Sequence, residues 1–92
     1  MRTFVTPSFE RCLKGLPAER REEIIGIIRR VGEQFGKPHA HSGLAIRPFG
    51  AEYECRDAIK NRLVFKLKPD GLWFVFYGDH KAVENRSKNL GS

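Results

Sequence analysis

The sequence predicts an α+β domain in which N-terminal helices pack on one face of a four- to five-stranded antiparallel sheet. Three observations predict it. Apolar residues Ile24, Ile27, Ile28, Val31 and Phe35 recur at helical spacing and fall on one face. From Leu44 onward the pattern changes to short β-rich runs separated by turn residues. Helices come first and strands afterwards, the order of a helical layer laid on one sheet. With 92 residues, 40% of them hydrophobic, the chain has apolar content for one core and too little for two. Residues 1 to 90 therefore read as one domain and Gly91-Ser92 as a tail.

Taken in order, Arg2 to Val5 is a short β-prone run. Thr6-Pro7 follows as an N-cap residue with proline at the first helical position, where a missing N–H costs nothing, and predicts a short helix to about Lys14. Gly15 stops it and Pro17 starts a longer helix. Glu19, Glu22 and Glu23 lie near the start of that helix and Arg29 and Arg30 near its end, the order that complements the helix dipole; Gly36-Lys37-Pro38 closes it. After the His39-Ala40-His41-Ser42-Gly43 loop, four strands are expected at Leu44 to Pro48, Glu52 to Asp57, Arg62 to Lys68 and Leu72 to Tyr77. Pro69-Asp70-Gly71 makes the last two a hairpin. Asp79 is placed to cap a C-terminal helix through Leu90.

Alternation along Arg62 to Lys68 sends Leu63, Phe65 and Leu67 to the core and Arg62, Val64, Lys66 and Lys68 to a cationic face. Leu72 to Tyr77 is apolar throughout and should be central or covered on both sides, which makes Trp73 a core residue. Glu52 and Glu54 flank Tyr53; either is a candidate carboxylate base, and a cross-strand pair with Arg56, Arg62 or Lys66 is the more economical reading.

A formal charge of +6 biases the surface toward polyanions such as nucleic acid or an acidic protein. Cys12 and Cys55 stand far apart without metal-ligand spacing, so reduced thiols are expected, with neither a zinc site nor a disulfide framework. His39 and His41 are candidates for a metal pair or for alternative acid/base groups, but with no third ligand at recognisable spacing the favoured reading is an ordinary loop. With no apolar leader and no run long enough to span a membrane, a cytoplasmic protein is expected.

The chemistry-bearing residues gather at strand ends: Arg56, Arg62 and, just past the last strand, Gly78-Asp79-His80. Cleaving RNA without a metal needs a base for the 2′-OH proton, an acid for the leaving 5′ oxygen, and cations for the charge on phosphate. Histidine supplies proton transfer near neutral pH, and Arg and Lys supply the charge.

Leu16-Pro17 before a long helix, a histidine-bearing loop, Tyr53-Glu54-Cys55-Arg56, Asn61-Arg62-Leu63-Val64-Phe65 and Gly78-Asp79-His80-Lys81-Ala82-Val83 resemble, in that order, the short motifs of the RelE/ParE superfamily of toxins from type II toxin–antitoxin systems. The resemblance covers nearly the whole chain and implies a RelE-like fold. It also implies a ribosome-dependent mRNA endoribonuclease that needs no cofactor and is held in check by a cognate acidic antitoxin. By motif position it makes Arg62 a phosphate-contacting arginine and His80 the acid/base histidine; Arg56 is either a second phosphate contact or a structural arginine paired with a carboxylate. Lys60, Lys66, Lys68 and Lys81 are then RNA-binding lysines that hold the backbone without reading sequence.

The sequence departs from the pattern after the histidine. Many nuclease members carry an aromatic residue there, whereas here Glu84 stands four positions on and no tyrosine or phenylalanine follows Tyr77. A base-stacking role is vacant or has moved to Trp73 or Tyr77. This departure keeps open, as alternatives, the gyrase-inhibiting branch of the superfamily or a non-catalytic partner-binding member.

Overall fold

A computed structural model of the chain describes residues 1–37 and 44–90, the last four by backbone alone. The elements in chain order are β1 (Thr3–Val5), α1 (Pro7–Leu13), α2 (Ala18–Gln34), β2 (Arg47–Phe49), β3 (Glu52–Arg56), β4 (Arg62–Lys68), β5 (Gly71–Gly78) and α3 (His80–Leu90). His39, His41 and the Gly91-Ser92 tail lie outside the described residues.

Local chemistry sets the helix ends. Thr6 Oγ1 accepts from the Phe9 N–H at 3.2 Å with Pro7 at the first position, the expected cap of α1. Gly15 at φ +82 and Gly36 at φ +80 end the two N-terminal helices in the left-handed region. The apolar stripe of α2, with Ile24, Ile27, Ile28 and Val31, is buried against the sheet together with Phe9 of α1.

The strands form one five-stranded sheet in the order β1-β5-β4-β3-β2. β2 to β5 make the antiparallel meander, but β1 pairs parallel to β5, with Phe4 opposite Trp73. The sheet is therefore mixed, a correction to the antiparallel expectation. A parallel neighbour requires a long crossover, which α1, α2 and the first three meander strands provide. β2 is also shorter than expected, because Ala45 at φ +50 breaks the extended backbone ahead of Arg47.

Strand pairing shifts at Val64/Phe65: Val64 faces Phe76 while Phe65 faces Phe74, so Val75 is the extra residue of a β-bulge. This sends Phe74 and Tyr77 to one face and Phe76 to the other, where strict alternation would have put Phe76 in the core. The core layer holds Leu63, Phe65, Leu72, Phe74, Tyr77 and Cys55. Phe65 and Phe74 lie 5.0 Å apart, and Phe35 meets Tyr53 and Phe65 edge-on at 5.0 and 5.7 Å.

The face opposite α1 and α2 is not an open cationic face. α3 crosses it, burying Val83 and Val64 completely, and Arg86 reaches back to Glu52 at 2.8 and 3.1 Å. β5 is thus central and covered on both sides over part of its length, as its apolar run requires.

Candidate functional site

Strand register carries the predicted residues to one end of the meander. Arg56 is the direct partner of Arg62, and Arg62 of Gly78. His80 follows two residues later in the first turn of α3, which Asp79 caps by accepting from the Ala82 N–H at 2.8 Å. Register therefore puts Arg56, Arg62 and Gly78 in one cross-strand row, with His80 two residues past its end, Lys81 next to the histidine in sequence and Lys60 in the adjoining β3–β4 turn.

Their surroundings differ. His80 is 60% exposed and its Nε2 sits 2.7 Å from Glu84 Oε1 one helical turn on. Glu84, the residue found where an aromatic was expected, is thus the carboxylate partner of the imidazole. Such a pair fixes the ring and its tautomer while leaving it open to solvent. Arg56 is exposed and has no ion pair among the described residues; it lines a cleft of about 320 Å³ with Glu23, Ile27, Arg30, Leu44 and Asp57.

Arg62 is only 6% exposed, and its Nη1 lies 3.4 Å from Oε2 of Glu54, itself 1% exposed. Glu54 also accepts from Arg47 Nε at 2.7 Å, so one buried carboxylate serves two arginines, while Arg62 Nε is buried without a partner. Alternation alone had placed Arg62 on an open face; the buried Glu54 and the neighbouring α3 enclose it instead. The economical reading of Glu54 and Arg62 as a cross-strand pair is the one the structure contains.

The lysines divide into two groups. Lys60 and Lys81 are exposed at the Arg56 end. Lys66 and Lys68 lie toward the far end of β4, roughly 13 and 20 Å along the strand from Arg62 at about 3.3 Å per residue. There Lys66 is 3.8 Å from Glu52, and the Lys68 ammonium stands 5.0 Å over the Trp73 ring.

Both candidates for the missing aromatic are now placed. Tyr77 is buried; its hydroxyl donates to Asp57 Oδ2 and accepts from Asn61 Nδ2 at 3.1 Å. Its pKa is pushed up to about 12, first by burial and then by the hydrogen bond to Asp57, so it has no free ring face or proton to offer. Asp57 Oδ1 meanwhile accepts from the backbone N–H groups of Ile59 and Asn61 at 3.1 and 2.9 Å, which makes this carboxylate a clasp for the turn. Trp73 is not a core residue as expected: it is half-buried, stacked on Phe4 on the α3 side of the sheet.

Cys55 lies in the core with its thiol pushed up to about 12, chiefly by burial and then by Glu54 and Asp57, which rules it out as a nucleophile at neutral pH. Among the described residues no group of three or more His, Cys, Asp or Glu is placed to hold a metal, and no helix is long and apolar enough to cross a membrane. Sequence reasoning missed Arg47 and Arg86, whose partners Glu54 and Glu52 lie seven and 34 residues away. It also missed Phe4, whose neighbour Trp73 is brought beside it only by the parallel pairing.

The arrangement offers an exposed imidazole with a carboxylate behind it, an exposed arginine in the same register row, and two flanking lysines. That set can move a proton and hold an anion. No protein-family model matches this chain, and no curated protein or solved structure matches it significantly.

Proposed function

We propose that the chain is a RelE/ParE-type toxin of a type II toxin–antitoxin system that cuts mRNA on the ribosome, in the cytoplasm, until an acidic antitoxin neutralises it. The observation that carries this reading is the row Arg56, Arg62, Gly78 continued by the His80–Glu84 pair. In the reaction a base takes the 2′-OH proton, the 2′ oxygen attacks the adjacent phosphorus, and the P–O5′ bond breaks as an acid protonates the leaving oxygen. The products are a 2′,3′-cyclic phosphate and a free 5′-hydroxyl. No metal or cofactor takes part in this scheme.

In this reading His80 transfers one of the two protons, steadied by Glu84. Arg56 meets the charge that builds on the phosphate oxygens, with Lys60 and Lys81 holding the neighbouring backbone. Arg62 is a positioning residue: through Glu54 it fixes the strand pair that carries Arg56.

A second reading rests on the same buried ion pair. With its charge compensated by Glu54, Arg62 is withdrawn from phosphate contact, which favours a gyrase-directed or non-catalytic partner-binding member of the superfamily. Pulse labelling after induced expression without antitoxin separates the readings. The nuclease arrests amino-acid incorporation first, a gyrase inhibitor arrests DNA synthesis first with a DNA-damage response, and a non-catalytic member slows neither.

A further inference from the structure

The part of the sheet face that α3 leaves uncovered carries an aromatic pair enclosed by cations. Phe4 and Trp73, paired across β1 and β5, stack with centroids 4.5 Å apart and planes 18° apart. Arg2 lies over the Phe4 ring at 5.3 Å and Lys68 over the Trp73 ring at 5.0 Å. Because the two rings cover each other's inner faces, the cations occupy the outer ones, giving the layer order Arg2, Phe4, Trp73, Lys68. The indole is held in place from its edge, where Nε1 donates to Asp70 Oδ1 at 2.9 Å.

Charge around the pair is cationic. Arg2, Lys66 and Lys68 are exposed there. Of the nearby acids, Glu52 is paired with Arg86 and Lys66, while Asp70 keeps its charge and holds the edge of the indole. A fixed indole plane covered by one flexible, exposed lysine is a stacking surface with a displaceable lid. A nucleobase stacks more strongly on an indole than an exposed ammonium does, and the displaced Lys68 is long enough to swing onto the attached phosphate.

We propose that the Phe4–Trp73 pair, with Arg2, Lys66 and Lys68, is a binding platform for single-stranded RNA that stacks one base on Trp73. The inference deepens the nuclease reading and rests on it for the choice of RNA over an acidic protein segment. It adds a base-stacking site at the opposite end of β5, several nucleotides along the strand from the Arg56 row and separate from the position left vacant beyond His80.

Trp73 is the only tryptophan in the chain, so its emission reports on this platform alone. The full-length protein is titrated with a uridine dodecanucleotide, with polyphosphate of equal charge, and with a polyglutamate peptide. The expected result is saturable quenching of Trp73 by the RNA and little by polyphosphate or polyglutamate. Lys68→Glu, at an exposed position, should weaken RNA binding measured by anisotropy. Trp73→Ala should weaken it roughly tenfold while the far-ultraviolet circular dichroism stays unchanged. Equal quenching by polyphosphate, or RNA affinity unchanged in Lys68→Glu, would overturn the platform; quenching by polyglutamate alone would hand the surface to a protein partner. Quenching by RNA in a protein that leaves cellular messages intact keeps the platform and defeats the nuclease reading. Message cleavage without quenching does the reverse.

Discussion

Arg56 and Arg62 are cross-strand neighbours with opposite surroundings, and the contrast separates their mutant effects. Arg62→Ala removes one of the two cations that compensate Glu54, leaves Arg47 at 2.7 Å, and should cost about 1–3 kcal/mol. Arg56→Ala, at an exposed position, should stay within about 0.5 kcal/mol of the parent. Urea unfolding of both variants checks this, and equal midpoints would show that Arg62 is not structural. Tyr77 and Cys55 provide a test in alkali. Both have folded-state pKa values raised to about 12 from 10.0 and 9.0, so the folded protein holds protons the unfolded chain has released. Their contribution to stability is complete below pH 9 and is lost as pH rises through the window from about 9 to about 12. Urea midpoints should fall across that window, and Tyr77→Phe should make the fall shallower.

Among the elements, β1 and α3 decide what the site looks like, and each depends on one small feature. At Gly71, φ is +146 and an added Cβ would come within 2.4 Å of the Arg2 carbonyl oxygen, the acceptor of the Leu72 N–H at 2.9 Å. Gly71→Ala should therefore cost more than about 1 kcal/mol and loosen the β1 edge, visible as faster amide exchange at Leu72. Asp79→Ala should cost about 1 kcal/mol by uncapping α3. The sequence made several of these boundaries readable, because Thr6-Pro7, Gly15, Gly36 and Pro69-Asp70-Gly71 encode their turns and caps in adjacent residues. The bulge at Val75 was not readable, since nothing in the apolar run Leu72 to Tyr77 distinguishes the residue that loses its partner. Nor was the resting place of α3: its anchors are Val83 and an arginine bonded to Glu52 from 34 residues away.

Across the whole molecule, the +6 charge is organised by which cations fold inward. Arg62 and Arg86 fold inward onto Glu54 and Glu52 and Arg47 reaches Glu54 from an exposed position, while exposed cations stand at both ends of β4 and along α1 and α2. Charge pattern alone could not separate these sets, because Arg62 and Lys66 share a strand face and only the tertiary cover tells them apart. The same limit hid the aromatic stack, which needs the parallel β1–β5 pairing before Phe4 and Trp73 become neighbours. His80 and Arg56 were legible as candidates because they follow strand ends, and Glu84 acquired a role only once the helix set it one turn from His80. On the proposed reading, the Arg56 row and the His80–Glu84 pair cut mRNA. The most direct test of that reading is primer extension on a translated message after induced expression of the parent, Arg56→Ala and His80→Ala proteins. New 5′ ends within codons in the parent, lost in both variants while the proteins remain folded, are the predicted result; intact messages during growth arrest by the parent would contradict it.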